Sequence, residues 1–272
     1  MNENNINNID MEAVSRLLNN VIETNELPYE LATISDEVVD IMFDRTKKFV
    51  GTIVDYKELM MMYTCAMKEI RTKFDVLNTE FNIRYQRNPI QFISTRLKRT
   101  ASIAGKLEKD NLEFSVENIE KRVNDVAGVR VICSYIDDIY SLADMLVRQD
   151  DIKLIKRKDY IANPKPNGYR SLHLIVSVPV FFADHKKDIK VEVQIRTIAM
   201  DFWASLEHQL KYKNDVQDQQ SIVEQLKSCA DVIADTDKKM LSIRHQIEST
   251  SYAPSEEDIL IEKIKKIDVP LS

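Results

Sequence analysis

Lys190-Val191-Glu192-Val193-Gln194-Ile195-Arg196-Thr197 is the stretch whose reading decides the fold. Alternation with period two puts Val191, Val193 and Ile195 on one face and Lys190, Glu192, Gln194 and Arg196 on the other. A polar face turned to solvent is the ordinary reading. A strand this rich in β-branched residues belongs inside a sheet, however, so its polar face needs a reason. A carboxylate in a cleft, available to a metal ion or a substrate hydroxyl, supplies one.

Around this strand, the chain from Asn88 to about Lys213 alternates between two kinds of pattern. Ala127–Ser134, Arg170–Val178 and Ile189–Thr197 read as strands. Asp137–Arg148 and Ala199–Lys211 read as helices, and Ser115 predicts the cap of a short helix ending near Val123. Pro89 suits the first position of a helix running to about Lys109. Strands separated by helices, with two strands close together late on, predict an α/β domain with a mixed sheet.

Two helical flanks enclose this core. Asp55–Arg84 lacks Pro and Gly and carries Leu59, Met62, Ala66, Ile70, Phe74, Leu77 and Phe81 at helical spacing. From about Asp215 to Ile247 a second stripe runs through Val223, Leu226, Ala230, Ile233, Met240, Ile243 and Ile247, interrupted at Asp237. That stripe fits a helix packed on the domain and an oligomer interface equally well. The Asn-rich start predicts a frayed terminus. The expected organisation is an N-terminal extension over 1–50, partly disordered or helical, a main domain over 51–250 and a tail over 251–272.

Composition excludes several classes. There are 272 residues, with 38 basic and 44 acidic side chains and a net charge of −6. A protein that coats nucleic acid is usually basic, so an anion site here must be a local patch. Only four glycines occur, and neither GxGxxG nor GxxxxGK[ST] is present, which excludes a Rossmann fingerprint and a P-loop. Cys65, Cys133 and Cys229 are scattered, as expected of a reduced, cytoplasmic chain. No signal peptide is legible at the N-terminus. The most apolar run, Leu174–Ala183, is broken by Ser177 and Pro179 and is too short to span a membrane.

Basic side chains gather twice. Arg84–Asp110 holds seven basic residues and two acids; Lys153–Arg170 holds six and one. Charge runs are usually solvated faces. Lys98, Ser102, Lys106 and Lys109, however, share one side of the expected helix, a pattern suited to polyphosphate. Pro164-Lys165-Pro166-Asn167-Gly168-Tyr169 is a turn-rich loop that can carry Lys165 to a phosphate and present Tyr169 for stacking. Taken alone, Tyr169 reads as a half-buried aromatic at a strand edge. Asp125 precedes the strand that begins near Ala127 and is well placed to meet Glu192; alone, it reads equally well as a turn residue. Two carboxylates in a basic site suggest Mg²⁺. Asp235-Thr236-Asp237 reads as a solvated helix face. His208 reads as structural, and Trp203, Leu206 and Leu210 as core.

Five blocks then stand in order: R-L-K-R-T-A-S-I-A-G-K (96–106), N-D-V-A-G-V-R-V (124–131), D-Y-I-A-N-P-K-P-N-G-Y-R-S-L-H (159–173), V-E-V-Q-I-R-T (191–197) and A-M-D-F-W-A-S-L-E-H (199–208). Over Asn88–Lys213 the chain resembles the small alarmone synthetases, the single-domain (p)ppGpp synthetases of the RelA/SpoT superfamily. The resemblance implies a nucleotidyltransferase-like mixed sheet flanked by helices. It implies a GTP/GDP pyrophosphokinase of the stringent response, in which the 3′-hydroxyl of GDP or GTP attacks the β-phosphorus of ATP and AMP leaves.

By the same resemblance, Arg96 and Arg130 sandwich the adenine, and Lys98, Ser102, Lys106 and Lys109 hold the ATP phosphates. Asp125 and Glu192 bind Mg²⁺, and Glu192 is the candidate general base. The two roles of Glu192 compete, because a metal-bound carboxylate is a poor base. Tyr169 stacks on the acceptor guanine, Lys158 and Lys165 take its 5′ phosphates, and His173, Gln194 and Asp201 line its pocket. The family also implies a homotetramer, with single-stranded RNA or an alarmone as regulator. No His-Asp pair of the hydrolase domain in the larger relatives occurs, so synthesis without alarmone hydrolysis is expected. The competing expectation is a catalytically inactive nucleotide- or RNA-binding module on the same fold.

Overall fold

The structure, a computed structural model, describes residues 36–211 and 219–250. The expectations for the first 35 residues, for the start of the last helix near Asp215 and for the tail over 251–272 lie outside the described residues. The chain divides into two units between Lys57 and Glu58. In the first, residues 36–57 are helical. The second contains the sheet.

Helix α1 is Asp36–Tyr85, which extends well before the expected start at Asp55. All seven residues of its predicted stripe are buried, from Leu59 to Phe81. The expected helix from Pro89 to Lys109 is instead β1 (Ile90–Leu97) followed by α2 (Thr100–Lys109). Ile90, Ile93 and Leu97 stand at helical spacing, but Ile90, Ile93 and Thr95 are β-branched, and antiparallel pairing with Ala127–Cys133 makes the segment a strand. As an edge strand it gives its outer side to solvent, and Pro89 needs no N–H just ahead of it. Lys98 therefore stands before the helix, and only Ser102, Lys106 and Lys109 share its face. Ser115 caps α3 (Val116–Arg122) as expected, accepting from the Asn118 N–H at 3.2 Å.

The remaining elements are β2 (Ala127–Cys133), α4 (Ile136–Val147), β3 (Lys153–Asp159), β4 (Leu172–Phe181), β5 (Lys186–Thr197), α5 (Ile198–Lys211) and α6 (Gln219–Thr250). β3 was not expected. Six of its seven residues are exposed, so it has no alternation to read; pairing with β4 makes it a strand. The sheet order is β1-β2-β5-β4-β3. Only β2 and β5 run parallel; the other neighbours are antiparallel.

Val191, Val193 and Ile195 are buried on one side of β5 with Val129, Val131, Leu174 and Val176 of its neighbours, and α4 packs on β2 and β5. The other side carries the polar alternation. Register sets Ser94, Arg130, Gln194, His173 and Lys158 in one row across the five strands. Arg96, Gly128 and Glu192 form the next row, and Gly128 leaves it without a side chain between the other two. Among the described residues, no helix is long and apolar enough to cross a membrane.

Helix α6 docks on the loop before β4. Trp203 Nε1 donates to Leu226 O at 2.9 Å, and Arg170 Nη1 donates to Ala230 O at 3.1 Å. Asp237 corrects the sequence reading: it is buried, accepting from the Thr197 hydroxyl at 2.6 Å, and burial raises its pKa. Thr197 also accepts from the Met200 N–H, so this contact secures the start of α5. Trp203 is buried as expected, but Leu206 and Leu210 are exposed, and so is His208.

Gly168 lies at the closest approach to α6, with φ +88°. A Cβ there would stand 2.6 Å from Ala230 Cβ and 3.1 Å from Lys227 Cα. Gly168→Ala should lower stability by about 2 kcal/mol or more, from backbone strain plus overpacking. Thermal unfolding measures this, and adding Ala230→Gly should not restore it, since the Lys227 backbone contact and the φ strain remain.

Candidate active site

The polar rows of the sheet floor a cleft of about 340 Å³ lined by Ser94, Arg96, Lys98, Asp125, Gly128, Val129, Arg130, Glu192 and Gln194. Six expected site residues are therefore brought together: Arg96, Lys98, Asp125, Arg130, Glu192 and Gln194. Lys106 reaches the same place through Asp125. Ser102 and Lys109 are on the exposed face of α2 and do not line the cleft.

Asp125 is gripped from both sides. Lys98 Nζ donates to its Oδ2 at 2.9 Å and Lys106 Nζ to its Oδ1 at 2.7 Å. Burial would raise this carboxyl, but the hydrogen bonds and charges of Lys106 and Lys98 outweigh it, so the pKa is lowered. Glu192 is half-buried. Its Oε1 lies 3.3 Å from His173 Nδ1, and its Oε2 accepts from Gln194 Nε2 at 2.8 Å. Burial opposes ionisation, yet the bonds from His173 and Gln194 hold the pKa below its ordinary value. The charge of Asp125, which lines the same cleft, pushes the other way.

Arg130 has its guanidinium pKa lowered, by burial first and by Arg196 second. Its Nη1 is 3.4 Å from Asp201 Oδ1, and its buried Nε has no hydrogen-bond partner. A buried donor without a partner is expensive unless a ligand meets it.

The loop between β3 and β4 forms the second half of the site. Asp159 starts it by accepting from the N–H groups of Ile161 and Ala162 at 2.9 and 3.0 Å. Asn167 Nδ2 ties it to buried Glu207 at 3.0 Å. Tyr169 is half-buried, with its hydroxyl 2.8 Å from His173 Nε2 and 2.6 Å from Arg196 Nη2. Its ring is not bare. Lys165 Nζ stands 4.6 Å from its centroid and 4.8 Å from that of Tyr160, so the ammonium lies against both rings. Arg196 Cζ stands 5.1 Å from the same centroid, so a base stacking on Tyr169 competes with two cations for the ring. Asp201 is also engaged: its Oδ1 accepts from Arg196 Nη1 at 3.1 Å. Lys158 is exposed on β3, opposite His173.

The sequence reading missed Arg196, Tyr160 and Glu207. Arg196 was findable, since it continues the alternation of Glu192 and Gln194. Tyr160 and Glu207 act through a loop and a helix whose contacts are nonlocal, and no spacing announces them. Among the described residues, no three His, Cys, Asp or Glu side chains group to hold a metal.

A family model described as "Region found in RelA / SpoT proteins" matches residues 95–217. The chain is 42% identical over 196 residues to the GTP pyrophosphokinase YwaC of Bacillus subtilis (strain 168), covering 71% of this chain and 92% of that protein. The crystal structure of small alarmone synthetase 2 from Bacillus subtilis is similar at a TM-score of 0.64 and 42% identity, covering 71% of this chain and 99% of that one. Small alarmone synthetase 1 from Bacillus subtilis, bound to its product pppGpp, is similar at a TM-score of 0.65 and 32% identity, covering 71% and 98%.

The ionised Asp125 adds stability above the ordinary carboxylate range, and this is lost as pH falls through its lowered value. Lys106→Met removes one of the two ammonium groups and should move the Asp125 titration to higher pH, followed by carboxyl ¹³C NMR.

Proposed function

The chain belongs to the RelA/SpoT family, and from that premise we propose that it is a GTP pyrophosphokinase moving the β,γ-pyrophosphate of ATP to the 3′-hydroxyl of GDP or GTP. The observation that carries this reading is the pair of carboxylates, Asp125 and Glu192, opposed across a cleft otherwise lined by Arg96, Lys98 and Arg130. A polyphosphate needs the basic residues; only a reaction at phosphorus needs the two acids as well.

In this reading Arg96 and Arg130 hold the adenine between guanidinium planes, and the unpartnered Nε of Arg130 is a donor for the nucleotide. Lys98 and Lys106 turn from Asp125 to the phosphates, with Ser102 and Lys109 on the same face of α2 as Lys106. Tyr169 stacks on the acceptor guanine, Lys158 and Lys165 meet its phosphates, and His173, Gln194 and Asp201 border its pocket. The acceptor 3′-oxygen forms a bond to the β-phosphorus, the bond from that phosphorus to the oxygen of AMP breaks, and Glu192 takes the hydroxyl proton.

Enzymes of this kind call for a divalent metal. Asp125 and Glu192 would hold Mg²⁺, which takes a few hard oxygen donors and completes its shell with phosphates and water, and Glu192 acts as base only through an oxygen it does not give to the metal. When bound, it neutralises charge on the phosphate oxygens. Assembly into a homotetramer is supported by the exposed Ile198, Phe202, Leu206 and Leu210 of α5 and by Val232, Met240, Ile243 and Ile247 of α6. A single-stranded RNA or an alarmone as regulator is supported only by the basic surface of β3.

Glu192→Gln keeps the shape and removes the base. With ATP, Mg²⁺ and GDP or GTP, it should lower turnover by roughly 10²-fold or more. Anion-exchange separation of AMP and the guanine product measures it. If the unmodified protein forms no AMP with any guanine acceptor, the pyrophosphokinase reading fails.

A further inference from the structure

Arg196 lies on the polar face of β5, is 4% exposed and donates to four side chains. Nη2 bonds the Tyr169 hydroxyl at 2.6 Å and Gln194 Oε1 at 2.9 Å. Nη1 bonds Asp201 Oδ1 at 3.1 Å, and Nε reaches Ser171 Oγ at 3.4 Å. A guanidinium can only donate, so Tyr169, Gln194, Asp201 and Ser171 all accept from it.

Two paths lead from Arg196 to Glu192. In the first, Gln194 must turn Oε1 toward Arg196, which turns its Nε2 toward Glu192 Oε2 at 2.8 Å. In the second, the Tyr169 oxygen accepts from Arg196, which leaves its own proton free for His173 Nε2 at 2.8 Å. An accepting ring nitrogen carries no proton. With Nε2 accepting from Tyr169, the His173 proton sits on Nδ1, where it faces the acceptor-only Glu192 Oε1 at 3.3 Å. The two paths close a ring of five side chains in which both Glu192 oxygens receive.

We propose that Arg196 is a positioning residue of the reaction: as a donor-only group it orients the ring Tyr169–His173–Glu192–Gln194 and aims the Glu192 carboxylate at the acceptor hydroxyl. This rests on reading Glu192 as the base. It also gives Tyr169 a second task, separate from stacking, since its hydroxyl passes the orientation on to His173.

Tyr169→Phe separates the two tasks, because the ring stays and the hydroxyl goes. The expected result is an acceptor KM within about 3-fold of the unmodified protein and a kcat at least about 10-fold lower, less than the roughly 10²-fold that general-base catalysis supplies because the base itself remains. Imidazole ¹⁵N NMR, assigned with His173→Gln, should show His173 protonated on Nδ1 in the unmodified protein and a mixture of tautomers in Tyr169→Phe. Arg196→Lys should shift the same signals. An unchanged kcat in Tyr169→Phe, or His173 protonated on Nε2 in the unmodified protein, overturns the proposal. If the unmodified protein has no pyrophosphokinase activity, it is the base reading that fails, and the NMR signals still decide the ring.

Discussion

Gly128 faces Glu192 and Arg130 faces Gln194 because β2 and β5 run parallel in a fixed register. The rest of the site depends on this pairing. A slip of one residue would turn Glu192, Gln194 and Arg196 into the core and bring Val193 and Ile195 to the cleft. The valines and isoleucines packed beneath the sheet forbid that slip. The chemistry above the sheet is thus placed by the hydrophobic effect below it. Antiparallel neighbours extend the two rows outward, with Arg96 beside Gly128 on one side and His173 beside Gln194 on the other.

An acidic chain builds a basic cleft here by concentrating charge locally. Arginines and lysines surround two carboxylates, and each carboxylate is held ionised against its burial by donors aimed at it. Asp201 serves Arg130 and Arg196 together, so one acid offsets two cations that would otherwise repel. Such an arrangement is costly in isolation and is held in place by the surrounding packing. Helix α6 contributes from the far side. It presses on Gly168 and accepts from Arg170 and Trp203, which keeps the Tyr169 loop against α5.

The readable parts of the sequence were those where one physical pattern dominates. β5 alternates cleanly, α1 keeps its apolar stripe, and Ser115 caps where a cap was needed. Ile90–Leu97 misled because Pro89 suits both a helix start and the residue ahead of an edge strand. β3 was silent because an exposed edge strand has no buried face to leave a mark. Asp237 read as solvated because its partner, Thr197, is remote in sequence. The gathering of Arg96, Lys98, Asp125, Arg130, Glu192 and Gln194 was legible as composition and order. The bonds of Arg196 and the ammonium of Lys165 between two tyrosine rings depend on tertiary closure.

The exposed strand β3 has a consequence for the protein as a solute. A free sheet edge invites strands from other molecules, and Leu154 and Ile155 would add apolar attraction. Lys153, Lys156, Arg157 and Lys158 set four positive charges along that edge, and a register shift between Leu154 and Lys156 breaks its regular spacing. A second copy arriving edge to edge would have to press like charges together along an irregular line. The strand that carries Lys158 toward the cleft therefore also ends the sheet at five strands and protects crowded molecules from joining into fibrils.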